Sequence, residues 1–280
     1  MTRTALITGC SSGIGRATAL HLAARGWLVY ATARQPDPLS PLGEAGCRTL
    51  ALDVTDETSM RAAVEQVENE QGAVDALVNN AGYSQSGALE TVPMDQVRRQ
   101  FETNVYGLLR LCQLVLPGMR ARGNGRIVNL SSMGGRLAFP GGGAYHASKY
   151  AVEALSDVLR FEVTRFGVHV VVVEPGLIRS SFGRTAAAGM ASAPDGPYRR
   201  FNRAVAEGTE RVYTHGPLAR LGGPPEAVAR VIEQALTASR PRPRYRVTPS
   251  AWALIATRRL LPDRAWDALM RTQFPQPGPR

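Results

Sequence analysis

Thr4-Ala5-Leu6-Ile7-Thr8-Gly9-Cys10-Ser11-Ser12-Gly13-Ile14-Gly15 is the stretch that decides the fold of this 280-residue chain. Its first five residues form a short apolar run that predicts a buried strand. The strand stops at a glycine-rich turn, and an amphipathic helical pattern follows to about Arg25. Strand, glycine turn and helix N-terminus together make a cradle for phosphate. Glycines let the backbone turn tightly and approach a ligand closely. The helix end adds free N–H groups and partial positive charge that favour a pyrophosphate. Glycines at this spacing also occur in plain turns, so the flanking strand and helix carry the argument.

Working outward, short apolar runs keep alternating with helical patterns. Strands are predicted at 28–33, 47–52, 74–78, 126–130 and, in the most β-branched run of the chain, 168–173. Helices are predicted at 56–71, with Asp56 as N-cap, at about 94–122, and at about 145–166. This alternation predicts an α/β fold with a doubly wound parallel sheet of the Rossmann type, a three-layer sandwich in a single domain over residues 1–280. Ligands of such sheets sit beyond the carboxyl ends of the strands. Asp53-Val54, Asn79-Asn80-Ala81-Gly82, Ser131-Ser132 and Pro175-Gly176 all fall there. Asn104, inside the helical stretch 94–122, is read as a surface residue or a local distortion.

Arg34 follows the second predicted strand, where NAD-preferring dinucleotide folds carry an acid for the ribose 2′-hydroxyl. A carboxylate repels a 2′-phosphate, whereas an arginine can clamp it. Asp37 is nearby, but between Pro36 and Pro38 it reads as a loop residue. The position therefore favours NADP over NAD, against a merely solvent-facing arginine.

Positive charge elsewhere singles out one residue. Of the 33 basic residues, 32 are arginine and the only lysine is Lys149. It stands four residues after Tyr145, a spacing that puts both side chains on one helix face. Arginine is planar and effectively always charged; lysine is a compact ammonium on a flexible stem. A site needing an ammonium that bonds diol hydroxyls and lowers a phenol's pKa rejects arginine. His146, about 100° further round the same helix, is read as structural.

Net charge is +10. Residues 1–178 hold 16 basic and 16 acidic side chains, and residues 179–280 hold 17 and 7. The excess is therefore confined to the last third. It marks a solvated arginine-rich surface, or contact with an anionic partner such as a membrane surface or a carrier protein. No nucleic-acid motif accompanies it. Three cysteines without metal-type spacing predict a reducing compartment and no metal site. Neither a signal peptide nor an apolar run of about 18 residues is evident, so the chain is expected to be cytoplasmic without a transmembrane segment. Residues 181–223 read as a substrate flap with a lid helix over 200–212. Residues 249–274 read as a C-terminal helical segment, with Ser250 and Asp263 as its two caps.

Together these features resemble the short-chain dehydrogenase/reductase family over about residues 4–180. The resemblance rests on Thr8-Gly9 with Gly13 and Gly15, Asp53, Asn79-Asn80-Ala81-Gly82, Asn104, Ser132, Tyr145 with Lys149, and Pro175-Gly176. Arg244-Tyr245-Arg246-Val247 followed by two helices is more loosely similar to the hydroxysteroid- and retinol-dehydrogenase-like branch. The resemblance implies an NADP-dependent alcohol dehydrogenase or ketoreductase acting on a bulky apolar alcohol or ketone, steroid-, retinoid- or polyketide-like, in a dimer or tetramer. Cofactor contacts would come from Gly9, Ser11, Ser12, Gly13, Ile14, Gly15, Arg34, Asp53, Val54, Asn80, Ala81, Gly82, Pro175, Gly176, Ile178 and Ser180, with Tyr145 and Lys149. Tyr145 would exchange the proton, and Lys149 with the oxidised nicotinamide would hold its phenol low. Ser132 would bond the substrate oxygen, and Asn104 would place a water beside Lys149. Two other readings remain open at this point. One is a redox sensor that binds NADP(H) without turnover; the other is an epimerase of the sugar-nucleotide branch.

Overall fold

A computed structural model describes residues 2–180, 182–183, 186, 196–214 and 216–278. Seven strands form one sheet in the order β3-β2-β1-β4-β5-β6-β7. They are β1 (Thr4–Ile7), β2 (Leu28–Ala33), β3 (Arg48–Ala51), β4 (Ala76–Asn79), β5 (Gly125–Leu130), β6 (Val168–Pro175) and β7 (Arg244–Val247). Every neighbouring pair is parallel. The chain builds outward from β1 to β3, then returns across the sheet to start β4 on the other side of β1. That reversal opens a crevice above Ile7, which pairs with Ala31 on one side and Val78 on the other.

The central strands are largely apolar on both faces, as a covered parallel sheet requires. Successive side chains of a strand point to opposite faces. Thus Ala5 and Ile7 join Val128, Val171, Leu22 and Ile232 on one face. Leu6 joins Ile127, Val170, Leu111 and Met119 on the other. The first face is covered by α1 (Gly13–Ala23) and the helix Pro225–Thr237; the second by α3 (Glu57–Gln71), α5 (Gly107–Arg122) and α6 (Gly143–Val163).

The structure departs from the sequence-based expectations at several points. The stretch 94–122 is not one continuous α-helix: α4 (Met94–Phe101) passes through a π-helical turn, Glu102–Tyr106, before α5. Ser250 and Asp263 are not caps. Pro249 and Asp263 already open the helices Pro249–Leu260 and Asp263–Gln273, after Thr248 and Pro262. The Ser250 hydroxyl instead accepts the Leu177 N–H at 3.0 Å, tying this helix to the end of β6. The helix expected over 200–212 runs from Arg199 to Thr214. In the expected flap, residues 181, 184–185, 187–195 and 215 lie outside the described residues. The proline-interrupted segment after β2 holds a short helix, α2 (Ser40–Glu44), that the sequence pattern did not show. Among the described residues, no helix is long and apolar enough to cross a membrane.

Asp56 does cap α3, its Oδ1 accepting the N–H groups of Thr58 at 2.8 Å and Ser59 at 3.1 Å. Asp56→Ala is expected to cost about 1 kcal/mol of unfolding free energy in urea titration, the usual worth of a side-chain N-cap. An unchanged midpoint would mean that α3 is held by its packing alone.

Candidate active site

One cleft of about 930 Å³ opens above the carboxyl ends of the strands. Its nucleotide half is built by the turn after β1. The Thr8 hydroxyl accepts the N–H groups of Asn80 and Ala81, each at 3.0 Å, which joins the ends of β1 and β4. The Asn80 amide donates back to the carbonyls of Thr8 at 2.9 Å and Gly9 at 3.0 Å. Gly9 needs its freedom here: φ is +72°, and a Cβ would lie 2.9 Å from Ala81 Cα. Ser12 stands at the N-cap of α1 without a side-chain capping bond, and the first turn holds no acid. The helix end therefore keeps its donors for a ligand.

Seventeen of the anticipated site residues line this cleft: Gly9, Ser11, Ser12, Gly13, Ile14, Arg34, Asp53, Val54, Asn80, Ala81, Gly82, Ser132, Tyr145, Lys149, Pro175, Gly176 and Ile178, with Ser180 as an eighteenth. Two expected residues do not. Gly15 lies inside α1, where a Cβ would collide with the Gly9 carbonyl, so it lets helix and turn pack together. Asn104 is buried, in the π-helical turn. Its Oδ1 accepts the Tyr83 N–H at 3.1 Å, and its amide donates to the Tyr83 carbonyl at 2.9 Å and the Ser148 hydroxyl at 3.0 Å. A Cβ on Gly82 would be 3.0 Å from Asn104 Oδ1 and 3.7 Å from Lys149 Nζ, so both groups converge on Gly82. Such single π-turns are frequent at functional sites.

The donor set fits a phosphorylated dinucleotide. Arg34 is exposed, lines the cleft and makes no ion pair among the described residues. Among the described residues, Asp53 is the only acid on the wall, and its Oδ1 is engaged by the Thr55 N–H at 2.9 Å and hydroxyl at 2.8 Å. Asp37 is exposed in a short 3-10 turn and does not reach the cleft.

The other half of the cleft holds Tyr145 and Lys149, one helical turn apart on α6. The Lys149 ammonium lies 6.0 Å from the centre of the Tyr145 ring and donates to the Leu130 carbonyl at 2.7 Å. Ser132 accepts the Gly134 N–H at 3.0 Å and hydrogen-bonds the Tyr145 phenol. His146 is buried with Nδ1 3.0 Å from the Gly134 carbonyl oxygen, and burial lowers its pKa.

The expectation of a phenol held low concerns Lys149 acting together with an oxidised nicotinamide; in the protein alone, burial sets the direction. Burial pushes Tyr145 up to about 12, with the Ser132 hydrogen bond pulling the other way. Burial also pushes Lys149 down to about 8, opposed by the charge of Glu153. Desolvation disfavours the charged form of each group and is the larger effect on both. Glu153 is one turn beyond Lys149 on α6 and is buried. Arg244 of β7 donates to it at 2.8 Å and to Asp157 at 2.5 Å, while Arg246 pairs with the fully buried Glu174 of β6 at 3.1 Å. The last strand thus neutralises the carboxylates behind the helix that carries Tyr145 and Lys149.

Sequence reasoning missed part of the wall. Gln96, Arg99 and Thr103 line the cleft from α4 and the π-turn, at a helical spacing that was there to be read. Tyr83 follows the Asn-Ala-Gly run directly, and Phe182 and Tyr213 come from the flap segment. Tyr145 and Phe182 rings meet at 5.6 Å.

A family model described as short chain dehydrogenase matches residues 3–190. An uncharacterised oxidoreductase of Escherichia coli, YbbO, is 36% identical over 97% of this chain and 95% of its own length. The NADPH-dependent 3-dehydrocapnine reductase of Ornithobacterium rhinotracheale is 33% identical over 95% of each chain. A crystal structure of a short-chain dehydrogenase from Streptomyces avermitilis superposes with a TM-score of 0.80 at 35% identity, covering 96% of this chain and 95% of that one.

Lys149 is a stability liability at neutral pH. An unfolded lysine titrates near 10.4 and the folded one at about 8, so below pH 8 the folded state carries the full cost of a buried charge. The cost is relieved as pH rises from about 8 towards 10, because the folded protein then sheds its proton before the unfolded chain does. Lys149→Met is expected to raise the unfolding free energy at pH 7 by about 1–3 kcal/mol. That gain should shrink towards pH 10; a gain independent of pH would show that the charge is not responsible.

Proposed function

The chain belongs to the short-chain dehydrogenase/reductase family of oxidoreductases, and from that premise we propose that it is an NADPH-dependent reductase of a bulky apolar ketone. The observation that carries the reading is the single cleft that joins a phosphate cradle to Tyr145, Ser132 and Lys149. The NADPH-dependent relative supports the cofactor assignment, as does Arg34, which lines the cleft without an ion pair among the described residues. When bound, the nicotinamide supplies the hydride, and that chemistry belongs to the cofactor.

The chain's own residues do the rest. Ser11, Ser12 and Gly13 hold the pyrophosphate at the start of α1, and Arg34 holds the 2′-phosphate. Asp53 and Val54 flank the adenine end; Ala81, Gly82, Ile178 and Ser180 line the path towards the nicotinamide. Ser132 donates a hydrogen bond to the carbonyl oxygen and so stabilises the charge that develops there. Tyr145 gives that oxygen its proton. Its burial keeps the phenol protonated at neutral pH, the form that reduction consumes. Lys149 places a cation beside the phenolate left behind. Asn104 fixes the loop Gly82-Tyr83 against which the ammonium rests. Phe182 and the ring of Tyr213, which packs on the buried cluster Met133, Leu137, Leu177 and Ile255, give the substrate an apolar wall.

In an assay of NADPH oxidation against a panel of apolar ketones, Tyr145→Phe is expected to lower kcat by roughly 10²–10⁴-fold, the usual worth of a general acid, with nucleotide affinity kept. Wild-type rates in that variant would remove Tyr145 from the chemistry. Arg34→Asp should cut the ratio of kcat/KM for NADPH over NADH by about 10–100-fold, the worth of one charge-assisted hydrogen bond. If the ratio does not move, Arg34 is not a phosphate ligand.

A further inference from the structure

Tyr213 is a second phenol on the cleft, carried by the helix Arg199–Thr214. Its ring packs on the apolar cluster Met133, Leu137, Leu177, Ala251 and Ile255. It also lies against the chain after β6: a Cβ on Gly183 would be 2.7 Å from Tyr213 Cδ2, so only glycine leaves it that position. The preceding residue, Phe182, touches the Tyr145 ring. Phe182 and Gly183 thus contact the two tyrosines in turn, and the two phenols lie within electrostatic reach of each other. Burial pushes the Tyr213 phenol well above the ordinary tyrosine range, and Tyr145 adds to the effect. At neutral pH it is therefore an O–H donor.

That donor makes no hydrogen bond among the described residues. Tyr213 is only partly buried and opens to the cleft, where water can reach it. A hydrocarbon substrate would strip that water away and leave the hydroxyl unpaired, a costly state that native proteins rarely keep. A substrate with an oxygen acceptor beside the reacting carbonyl would satisfy it in the same motion that brings the carbonyl to Ser132 and Tyr145.

We infer that Tyr213 is a substrate-binding residue, and that the ketones reduced here carry a second oxygen acceptor close to the reacting carbonyl, as β-keto esters and α-hydroxy ketones do. The inference rests on the ketone-reductase reading above. It narrows the substrate from apolar ketones in general to those functionalised next to the carbonyl. The apolar wall takes the rest of the molecule.

The test compares the full-length wild-type protein with Tyr213→Phe. NADPH oxidation is followed on a medium-chain β-keto ester and on the dialkyl ketone of matching length. Wild type should prefer the keto ester. In the variant, the ratio of kcat/KM for keto ester over dialkyl ketone should fall about tenfold, the worth of one hydrogen bond to a neutral group, mainly through KM. The ratio is independent of how much of the variant folds, so a poorly folded preparation does not blur it. A ratio that stays put, whether both rates fall together or neither does, overturns the subsite and leaves the reductase reading standing. If wild type binds NADPH but oxidises it with neither ketone, the reductase reading falls and the subsite falls with it.

Discussion

A single ammonium held away from water organises this site. Lys149 is buried, and its surroundings offer it the Leu130 carbonyl at 2.7 Å and the charge of Glu153 one turn away. A buried charge with so little compensation is expensive, and the fold spends several elements on making it tolerable. β5 ends where its last carbonyl can accept the ammonium's proton. The π-turn at Asn104 pins Tyr83 and thereby the Gly82 backbone that closes over it. Glu153 is in turn neutralised by Arg244 from the far edge of the sheet, so that β7, the last strand to join, supports a residue placed almost a hundred positions earlier.

The second constraint is topological. Because the strand order reverses at β1, the turn after β1 and the loop after β4 meet across one crevice. Thr8 and Asn80 lace them together through four hydrogen bonds. The laced loops position the free helix end of α1 at one side of the cleft and Gly82 at the other. The phosphate cradle and the proton-handling residues are therefore not two sites that happen to be adjacent. They share the same backbone, so a change at Gly9 or Asn80 is felt at Lys149.

Much of this could be read from the sequence, for reasons that differ by residue. Strands β1, β5 and β6 are continuous apolar runs, and a parallel sheet covered on both faces leaves them no other pattern. The Tyr145–Lys149 spacing was legible because a lone lysine among arginines is conspicuous. Asn104 was harder. Local pattern flags an asparagine in a helix as odd but does not show that a π-turn buries it beside Ser148. The packing role of Gly15 was not legible, because the glycine motif does not distinguish a residue that approaches a ligand from one that lets helix and turn close. Tyr213 and the Arg244–Glu153 pairing were invisible, since both depend on contacts between segments far apart in the chain. The burial that raises the Tyr145 phenol in the protein alone was equally illegible: spacing reveals the neighbouring cation, but desolvation is a property of the packed fold.

The central claim is that Lys149 is a desolvated amine, and the composition makes it directly measurable. Because the chain has one lysine, protein grown with ¹³Cε-labelled lysine gives a single side-chain resonance that needs no assignment. A pH titration of that signal should show a midpoint near 8, well below the ordinary lysine value of 10.5. A midpoint at or above the ordinary value would place the amine in water or in a strong ion pair, and would contradict this account of how the site is held.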